Sequence, residues 1–394
     1  MPEIRNRASR LSDLCFTLYI FYFKLFMKLH KTLPRAVVAL FHPLTMNAGP
    51  ENIQVDITTA CNLRCVMCPR YFLESDDRSR HMEWGALKKI IEEIRPGSAN
   101  LAGTGEPLLY PHFFELVRLC KATDNAATIT SSNFTLADRT VIEQLLDSGL
   151  DVLKVSIDAV ETAAYAAIRG VDALERIGDS LMLLHEIKRA KKRATPSVRI
   201  DCVILRENVE QMGALICWAA AHHAETVMFR LLDTTRIEDE RKVTLTKDIN
   251  AVTVIQELIS AEKIASDHGI STNIHALLRQ PEYIALNYGG AGAVKKLRRG
   301  VCLLPWMQLF VTVNGDISPC CSLYPSGQKG EAFTGNIFKE GFTPVWNGSA
   351  MQEVRRQFRT GENYQRYRAC ARCNPMTLRN LAEAAGLFPG IMKL

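Results

Sequence analysis

Three closely spaced cysteines near residue 60 are the side chains of this chain with the most specific chemistry. The stretch "CNLRCVMCPR" (61–70) contains Cys61, Cys65 and Cys68. Three thiolates hold three irons of a cubane iron–sulfur cluster and leave the fourth iron open for another ligand. A zinc site needs a fourth ligand, and the next histidine, His81, lies thirteen positions beyond Cys68. The spacing therefore favours an iron–sulfur cluster over zinc or incidental structural cysteines.

A second set of cysteines lies in the last quarter of the chain. Its four candidate metal ligands are Cys302, Cys320, Cys370 and Cys373, the last two forming a C-x-x-C pair. Four cysteines suit either a zinc ion or a fully ligated [4Fe–4S] cluster. Cys321 adjoins Cys320 and is expected to be a buried spectator, since adjacent cysteines rarely ligate one metal. The remaining cysteines are expected to be ordinary buried thiols: Cys15, Cys120, Cys202 and Cys217.

The composition is that of an ordinary globular protein. The 394 residues are 47% hydrophobic and 23% charged, a length that suits two domains or one barrel with an appendage. Twelve cysteines are too dilute for a disulfide scaffold, which favours a cytoplasmic protein with free or metal-bound thiols. The net charge of +6 is spread along the chain. Basic runs such as 188–193 are interpreted as solvated helix faces, so no nucleic-acid partner is expected.

A series of alternating strands and helices must position these cysteines. Alternating apolar residues predict six strands, and helical apolar spacing predicts the helices between them. Strands are predicted at 52–58, 99–105, 127–132, 152–158, 198–205 and 226–232, and helices at 82–94, 111–122, 139–149, a long stretch ending near 190, and 209–222. Six strand–helix units in sequence indicate an α/β protein with a parallel sheet, as a partial or full barrel.

Chemically distinctive residues follow the ends of the predicted strands. The first cysteine set follows the first strand, "GTGEP" (103–107) follows the second, and Asn133 follows the third. "SIDA" (156–159), which begins with Ser156, closes the fourth strand, and Arg230 lies near the end of the sixth. Because the carboxyl ends of parallel strands meet at one face of a barrel, we expect an active site there.

An apolar N-terminal segment, "LCFTLYIFYFKLFMKL" (14–29), has three interpretations. Preceding arginines mimic a signal peptide, but no A-x-A-like cleavage site follows and Lys24 and Lys28 interrupt the run, which argues against export. The run is also too short to span a bilayer comfortably. We expect a helix that packs on the body of the protein, with contact to a membrane surface as the alternative.

The C-x3-C-x2-C spacing after the first strand of a six-fold β/α series resembles that of the radical S-adenosylmethionine enzymes. The resemblance implies a partial (β/α)6 TIM-like barrel and a [4Fe–4S] cluster on Cys61, Cys65 and Cys68. It also implies that the open iron binds S-adenosylmethionine, whose reductive cleavage gives a 5′-deoxyadenosyl radical that abstracts hydrogen from a substrate carbon. An electron donor such as flavodoxin or ferredoxin is implied as a partner.

The resemblance also implies cofactor contacts residue by residue. "GTGEP" is similar to the family's GGEP segment, so the backbone of Gly105 and Glu106 is implied to hold the methionine amino group, with Thr104 in place of a glycine. The other implied contacts are Asn133 and Ser156 to the ribose and carboxylate, Arg169 to the carboxylate, and Met67 to the adenine.

The second cysteine set resembles the SPASM and twitch domains that follow such barrels. "NGDISPC" (314–320) and "VWNG" (345–348) lie between its cysteines. The resemblance implies one auxiliary [4Fe–4S] cluster, fully ligated, and hence two clusters in the chain. The implied domains are an apolar helical extension (1–50), the barrel (51–285) and a small C-terminal iron–sulfur domain (286–394).

This pairing of domains implies radical modification of a substrate carbon. Family members oxidise sugars and aminocyclitols or modify ribosomal peptides by thioether formation, epimerisation or cross-linking. Only about fifty residues precede the first strand, which is short for a peptide-recognition domain, so oxidation of a small carbohydrate-like molecule is favoured. A precursor peptide or protein substrate, and a non-catalytic iron–sulfur protein, are the alternatives. Arg230 and Asp233 are candidate catalytic residues, or else a salt-bridged rim pair.

Overall fold

The computed structural model describes residues 42–68, 70, 78–232, 244–289, 300–323, 334–373 and 377. The strands in these ranges are β1 (Asn52–Val55), β2 (Ser98–Leu101), β3 (Ala127–Ser132), β4 (Val152–Ser156), β5 (Ser197–Val203), β6 (Thr226–Arg230), β7 (Ser271–Thr272), β8 (Gln308–Val311) and β9 (Ile317–Ser318). They form one sheet in the order β7-β6-β5-β4-β3-β2-β1-β8-β9. All neighbours are parallel except β8 and β9. The architecture is a partial TIM-like barrel.

The described ranges contain helices between successive strands and further helices after β9 in the C-terminal segment. They are α1 (Trp84–Ile94), α2 (Phe113–Asp124), α3 (Arg139–Ser148), α4 (Thr162–Arg169), α5 (Leu174–Ala190), α6 (Met212–Ala221), α7 (Ala251–His268), α8 (Ile274–Leu278), α9 (Pro281–Tyr288), α10 (Leu304–Met307), α11 (Ile337–Glu340), α12 (Phe342–Asn347), α13 (Ser349–Thr360), α14 (Asn363–Arg366) and α15 (Arg368–Arg372).

The two faces of the barrel strands differ in polarity. In β1 and β2, fully buried apolar residues such as Ile53 and Ala99 alternate with half-buried polar residues such as Gln54 and Asn100. The apolar residues belong to the same core cluster as the apolar stripe of α1. Since successive side chains of a strand point to opposite faces, the polar residues face the barrel lumen.

The predicted alternation of six strands and their helices is confirmed, but several strands end earlier than predicted. The first strand ends at Val55 rather than 58, and the fourth at Ser156 rather than 158. Ile57 and Ile157 are fully buried although their backbone has left the strand, so apolar character alone overextended these strands. The long helical stretch is divided into α4 and α5, because Gly170 ends α4 with φ of 75°.

The C-terminal segment continues the same sheet on the other side of β1. Strand β8 pairs in parallel with β1, with Asn52 opposite Gln308, and a turn at 314–315 returns the chain as β9. Strands β8 and β9 therefore form a hairpin. Arg355, which is fully buried, donates from Nε to Pro305 O (3.1 Å) and from Nη1 to Leu44 O (2.9 Å). Residues near 44 are thereby fixed to the C-terminal segment.

Three of the cysteines predicted to be buried thiols can be compared with the structure. Cys120 and Cys202 are buried, as predicted. The prediction for Cys217 is wrong, because this residue lies on the exposed side of α6, with its Sγ 3.6 Å from His268 Nε2. The helix is apolar nearly all round, so its composition did not indicate which side faces solvent.

The N-terminal segment 1–41, with the predicted helix and Cys15, lies outside the described residues. Within the described ranges, no helix has the length and apolar character needed to cross a bilayer. The division into 1–50, 51–285 and 286–394 remains a prediction.

Candidate cofactor site

A cavity of about 390 Å³ lies at the carboxyl ends of the barrel strands. Its walls come from the loops and ends of six successive strands, as the sequence predicted for an active site. The nine predicted cofactor and first-cluster residues all line it: Cys61, Cys65, Met67, Cys68, Gly105, Glu106, Asn133, Ser156 and Arg169. Residues that are distant in sequence are thus brought to one chamber.

The three cysteines carry free thiols in a loop that follows β1. Short backbone contacts order this loop: Cys65 O accepts from Cys68 N (3.1 Å), and Cys61 Sγ accepts from Leu63 N (3.5 Å). Burial raises the pKa of Cys68 to about 11 and also raises that of Cys61. Thiols in this state become metal ligands only as thiolates, so binding of a metal group must displace their protons.

The "GTGEP" segment packs directly on the cysteine loop. Gly105 N donates to Thr58 O (3.0 Å), and Glu106 N donates to Ala60 O (2.8 Å). A Cβ at position 105 would clash with the carbonyl oxygens of Thr58 and Ala60, so only glycine fits. Thr104 departs from the family glycine, and its hydroxyl donates to the buried Asp56 carboxylate (2.6 Å).

Glu106 is buried, and its hydrogen bonds connect the loop after β2 to the end of β3 and the loop that follows it. Its carboxylate accepts hydrogen bonds from Ser132 Oγ (2.7 Å), Asn133 N (2.7 Å) and Leu108 N (3.1 Å). Burial raises the pKa of Glu106, while these three donors act in the opposite direction. The side chain therefore has a structural role in addition to the backbone contact that the sequence implied.

Asn133 connects the loop after β3 to the cysteine loop. Its Nδ2 donates to Asn62 Oδ1 (2.8 Å), and its Oδ1 accepts from Thr135 N (2.9 Å) and Thr135 Oγ1 (2.7 Å). Asn62 Nδ2 in turn donates to Thr135 Oγ1 (2.7 Å). The sequence analysis did not predict Asn62 as a site residue, although its position between the first two cysteines is a signal that could have identified it.

Arg169, which lies at the end of α4, is buried beside the cysteines. Its Nη2 lies 2.5 Å from Asp158 Oδ2, and its Nη1 donates to Cys65 Sγ (3.6 Å). Burial alone would lower the pKa of Arg169, but the Asp158 carboxylate and Cys65 sulfur raise it, so the guanidinium stays charged. Asp158 follows β4 in the stretch "SIDA" (156–159). The sequence alone did not indicate that Asp158 pairs with Arg169.

These residues fit a [4Fe–4S] cluster with S-adenosylmethionine. The buried Arg169 Nε and Tyr165 hydroxyl have no hydrogen-bond partner among the described residues. Arg169 lines the cavity, and a guanidinium group with an unpaired nitrogen suits a ligand carboxylate. Three thiols on one loop suit three irons. Cys61, Cys65 and Cys68 would hold the cluster, and Arg169 would hold the methionine carboxylate. Within the described ranges, no three His, Cys, Asp or Glu side chains are placed to share one metal ion.

The second cysteine set also assembles in space. Cys302 precedes α10, Cys320 follows β9, and Cys370 lies on α15 with Cys373 just beyond it. Burial raises the pKa of Cys320, and four neighbouring thiols raise it further: Cys321, Cys373, Cys302 and Cys370. The short helical turn at 321–323 packs against α15. Residues separated by up to 71 positions in the sequence thus form one thiol cluster.

Cys321 differs from the buried spectator that the sequence predicted. It is only half-buried, whereas the adjacent Cys320 is buried. Cys321 begins the helical turn at 321–323, in which Leu323 is the buried residue. Its thiol nevertheless belongs to the same cluster, since it is among the groups that raise the pKa of Cys320.

The predicted catalytic pair lies at the edge of the chamber. Arg230 ends β6, is exposed, and pairs with Asp201 Oδ2 on β5 (3.2 Å). It does not line the 390 Å³ cavity. Asp233 lies outside the described residues. The catalytic roles of both remain predictions.

Two family models match the chain at the two cysteine sets. The model of the radical SAM superfamily matches residues 55–218, and that of the iron–sulfur cluster-binding SPASM domain matches residues 302–374. The chain contains a radical S-adenosylmethionine domain. Its cofactors are S-adenosylmethionine and [4Fe–4S] clusters, and it ends in a SPASM-type domain.

The proteins that this chain is similar to differ in their names and roles. The chain is 27% identical over 167 residues to the tungsten-containing aldehyde ferredoxin oxidoreductase cofactor-modifying protein of Pyrococcus furiosus, over 41% of this chain and 46% of that protein. It thus spans about half the length of that relative. It is 24% identical over 353 residues to mycofactocin maturase MftC of Mycolicibacterium smegmatis, over 87% of this chain and 80% of that protein.

Solved structures support the fold. SuiB of Streptococcus suis bound to S-adenosylmethionine matches with a TM-score of 0.61 at 16% identity, over 85% of this chain and 75% of that one. The same enzyme has been solved with its precursor peptide SuiA, with a TM-score of 0.60 at 15% identity over 82% and 70% of the two chains. At this level of identity the similarity concerns the fold alone.

Proposed function

We propose that this protein oxidises a small hydroxylated molecule of the sugar or aminocyclitol class, bound in the barrel lumen between its two cysteine sets. The observation that carries the proposal is a polar layer in the lumen, formed by Asn100 on β2, Lys154 on β4 and Asp201 on β5. Barrel interiors are usually filled by branched apolar side chains. A layer of amide, amino and carboxylate groups instead suits a ligand with many hydroxyl groups.

The position of this layer supports a redox reaction. Ser156, two residues beyond Lys154 on the same strand face, lines the cofactor cavity. Lys154 also interacts electrostatically with Cys321, the neighbour of Cys320 in the second cysteine set. When bound, S-adenosylmethionine with its cluster supplies an acceptor for a substrate hydrogen atom, and the auxiliary cluster supplies an acceptor for one electron.

The chain's own residues have distinct tasks in this proposal. Arg169 orients the methionine carboxylate, and Glu106 fixes the loops that form the chamber wall. Asn100 and Lys154 bind the substrate hydroxyl groups. Arg230 contributes positive charge at the edge of the lumen, and Asp233 remains a candidate catalytic residue on the segment after β6.

A peptide substrate is the second candidate. It is favoured by the fold similarity to SuiB, which was solved with a precursor peptide. A peptide would enter the same lumen and present a backbone or side-chain carbon to the cofactor. The two candidates differ in the atom that loses hydrogen, so isotope transfer distinguishes them.

The test is deuterium transfer into 5′-deoxyadenosine. Reconstituted, reduced protein is incubated with S-adenosylmethionine and, separately, with perdeuterated sugars, perdeuterated aminocyclitols and deuterated peptides. We expect mass spectrometry to detect deuterium in 5′-deoxyadenosine with a sugar or cyclitol, together with a product two mass units lighter than its unlabelled substrate in a parallel incubation. Transfer from peptides alone would replace the proposal with peptide modification.

A further inference from the structure

Lys154 is an unusual residue for the strand that carries it. Strand β4, "VLKVS", is otherwise buried and apolar up to Ser156. Lys154 Nζ donates to Asn100 Oδ1 (3.1 Å) on β2, which lies beyond the intervening strand β3. Side chains of next-nearest strands meet only when both project from the same face of the sheet. Lys154 therefore points into the lumen, below the chamber that Ser156 lines.

The groups that surround Lys154 come from several elements. Arg199 and Asp201 lie on β5, Arg230 on β6 and Cys321 in the C-terminal segment. Burial and the positive charge of Arg199 lower the pKa of Lys154 to about 7, with a smaller lowering by Arg230 and opposing effects of Asp201 and Cys321. At neutral pH, a large fraction of this lysine is therefore an uncharged amine.

The neighbouring carboxylate is a poor alternative as a base. Asp201 accepts from Arg199 Nε (2.5 Å) and Nη2 (2.7 Å), and also pairs with Arg230. Burial alone would raise the pKa of Asp201. The guanidinium groups of Arg230 and Arg199 outweigh this effect, so the pKa of Asp201 is lowered. Arg230 itself does not give up its proton in proteins. The amine of Lys154 is the group with suitable basicity.

We propose that Lys154 is a catalytic residue that binds a substrate hydroxyl and accepts its proton. The Asn100 side chain accepts one N–H of the amine and so directs its lone pair into the lumen. In the transfer, which follows loss of the carbon-bound hydrogen atom, the substrate O–H bond breaks and a fourth bond to nitrogen forms, which leaves a ketyl radical anion beside an ammonium group. The inference rests on the proposed function for the hydrogen atom and electron that complete the oxidation, and it concerns the proton alone.

The first test measures the basicity of Lys154 without any substrate. Reconstituted full-length protein is labelled briefly with acetic anhydride at pH 5.5 to 11, and mass spectrometry follows the peptide that contains Lys154. We expect half-maximal labelling near pH 7, and a shift of the midpoint to higher pH in Arg199→Gln. A midpoint near 10.5 would overturn the proposal, because the lysine would then be charged at neutral pH.

The second test uses the alcohol substrate found by deuterium transfer. Lys154→Met should lower product formation at least 100-fold, Lys154→Ala should be partly rescued by added methylamine, and the rise in rate through pH 7 should disappear. Lys188→Met is the matched control, since Lys188 is also shielded but lies outside the lumen and bonds Pro196 O.

The two proposals fail separately. Lys154→Met with wild-type rate and pH profile would overturn the role of Lys154 while oxidation of alcohols stands. Absence of deuterium transfer from any alcohol would overturn the proposed function, and the labelling midpoint would still decide the basicity of Lys154.

Discussion

At the scale of single residues, two glutamates show how burial changes the task of the same side chain. Glu83 and Glu106 both cap a helical turn by accepting backbone N–H groups. Glu83 is exposed, whereas Glu106 is 2% exposed and also accepts from Ser132 and Asn133. A buried donor that loses its acceptor cannot turn to water, so the two sites should respond differently to the same substitution.

Replacing Glu106 by glutamine should destabilise the protein more than replacing Glu83 by glutamine. The amide group introduced in Glu106→Gln would present N–H groups to at least one buried donor, which costs about 1–3 kcal/mol of unfolding free energy. Denaturant unfolding of the two variants measures the difference, with Glu83→Gln as the exposed control. Equal losses in both variants would show that the buried network around Glu106 contributes nothing.

Arg169 should act on cofactor affinity. Arg169→Lys keeps a positive charge near Asp158 but removes the guanidinium fork and its Nε, which has no hydrogen-bond partner among the described residues, so the dissociation constant of S-adenosylmethionine should rise by about tenfold or more. Arg139→Lys on α3 is the control, because Arg139 is 64% exposed and pairs only with Glu143 among the described residues. Equilibrium dialysis at matched iron content measures both. An unchanged constant in Arg169→Lys would contradict the assignment.

At the scale of elements, the chamber depends on loops that follow neighbouring strands and pack without space between them. Gly105→Ala should push the backbone at 58–60 away and disturb the adjacent cysteine loop. Iron should therefore fall from about eight to about four per chain while the auxiliary cluster is retained. Gly85→Ala is the control, since its Cβ meets only the flexible Glu83 side chain. Full iron content in Gly105→Ala would show that the loop adapts.

The lysine in strand β4 is expected to lower the unfolding free energy of the protein. Lys154→Met removes a half-buried amine that two guanidinium groups affect electrostatically, and it should raise the unfolding free energy by about 1–3 kcal/mol at pH 7. Because the pKa of Lys154 is lowered by folding, the wild-type penalty is full below about pH 7 and disappears as pH rises towards 10.5. The increase in unfolding free energy caused by Lys154→Met should therefore become smaller between pH 7 and 10. Denaturant unfolding across this range measures it, and a variant less stable than wild type throughout would contradict the expectation.

Strand positions were predictable to within a few residues, because alternating apolar residues record which face of the sheet is buried. The strand ends were not, because Ile57 and Ile157 stay buried after the backbone turns away. Lys154 offered an overlooked signal: a lysine within an otherwise apolar strand must face a polar interior or a partner. The partners themselves, Asn100 and Arg199, follow from sheet order and could not be read from local sequence.

At the scale of the whole molecule, the two cysteine sets and their order along the chain were sufficient to predict the two domains that the family models match. The packing of the C-terminal segment was not predictable, since β8 pairs with β1 across 256 positions. Long-range strand pairing is decided by complementary buried faces rather than by any local motif. This pairing brings the second cysteine set close enough for Cys321 to influence Lys154 in the lumen.

The central claim is that two separate cysteine sets hold two clusters on either side of a polar lumen. It is tested by iron analysis and electron paramagnetic resonance of reduced, reconstituted protein. Wild-type protein should hold about eight irons, and simultaneous replacement of Cys61, Cys65 and Cys68 by Ala should leave about four. S-adenosylmethionine should alter the signal of a Cys370→Ala, Cys373→Ala double variant but not that of the triple variant. A triple variant that keeps all its iron, or wild-type protein that holds mainly zinc, would contradict the account.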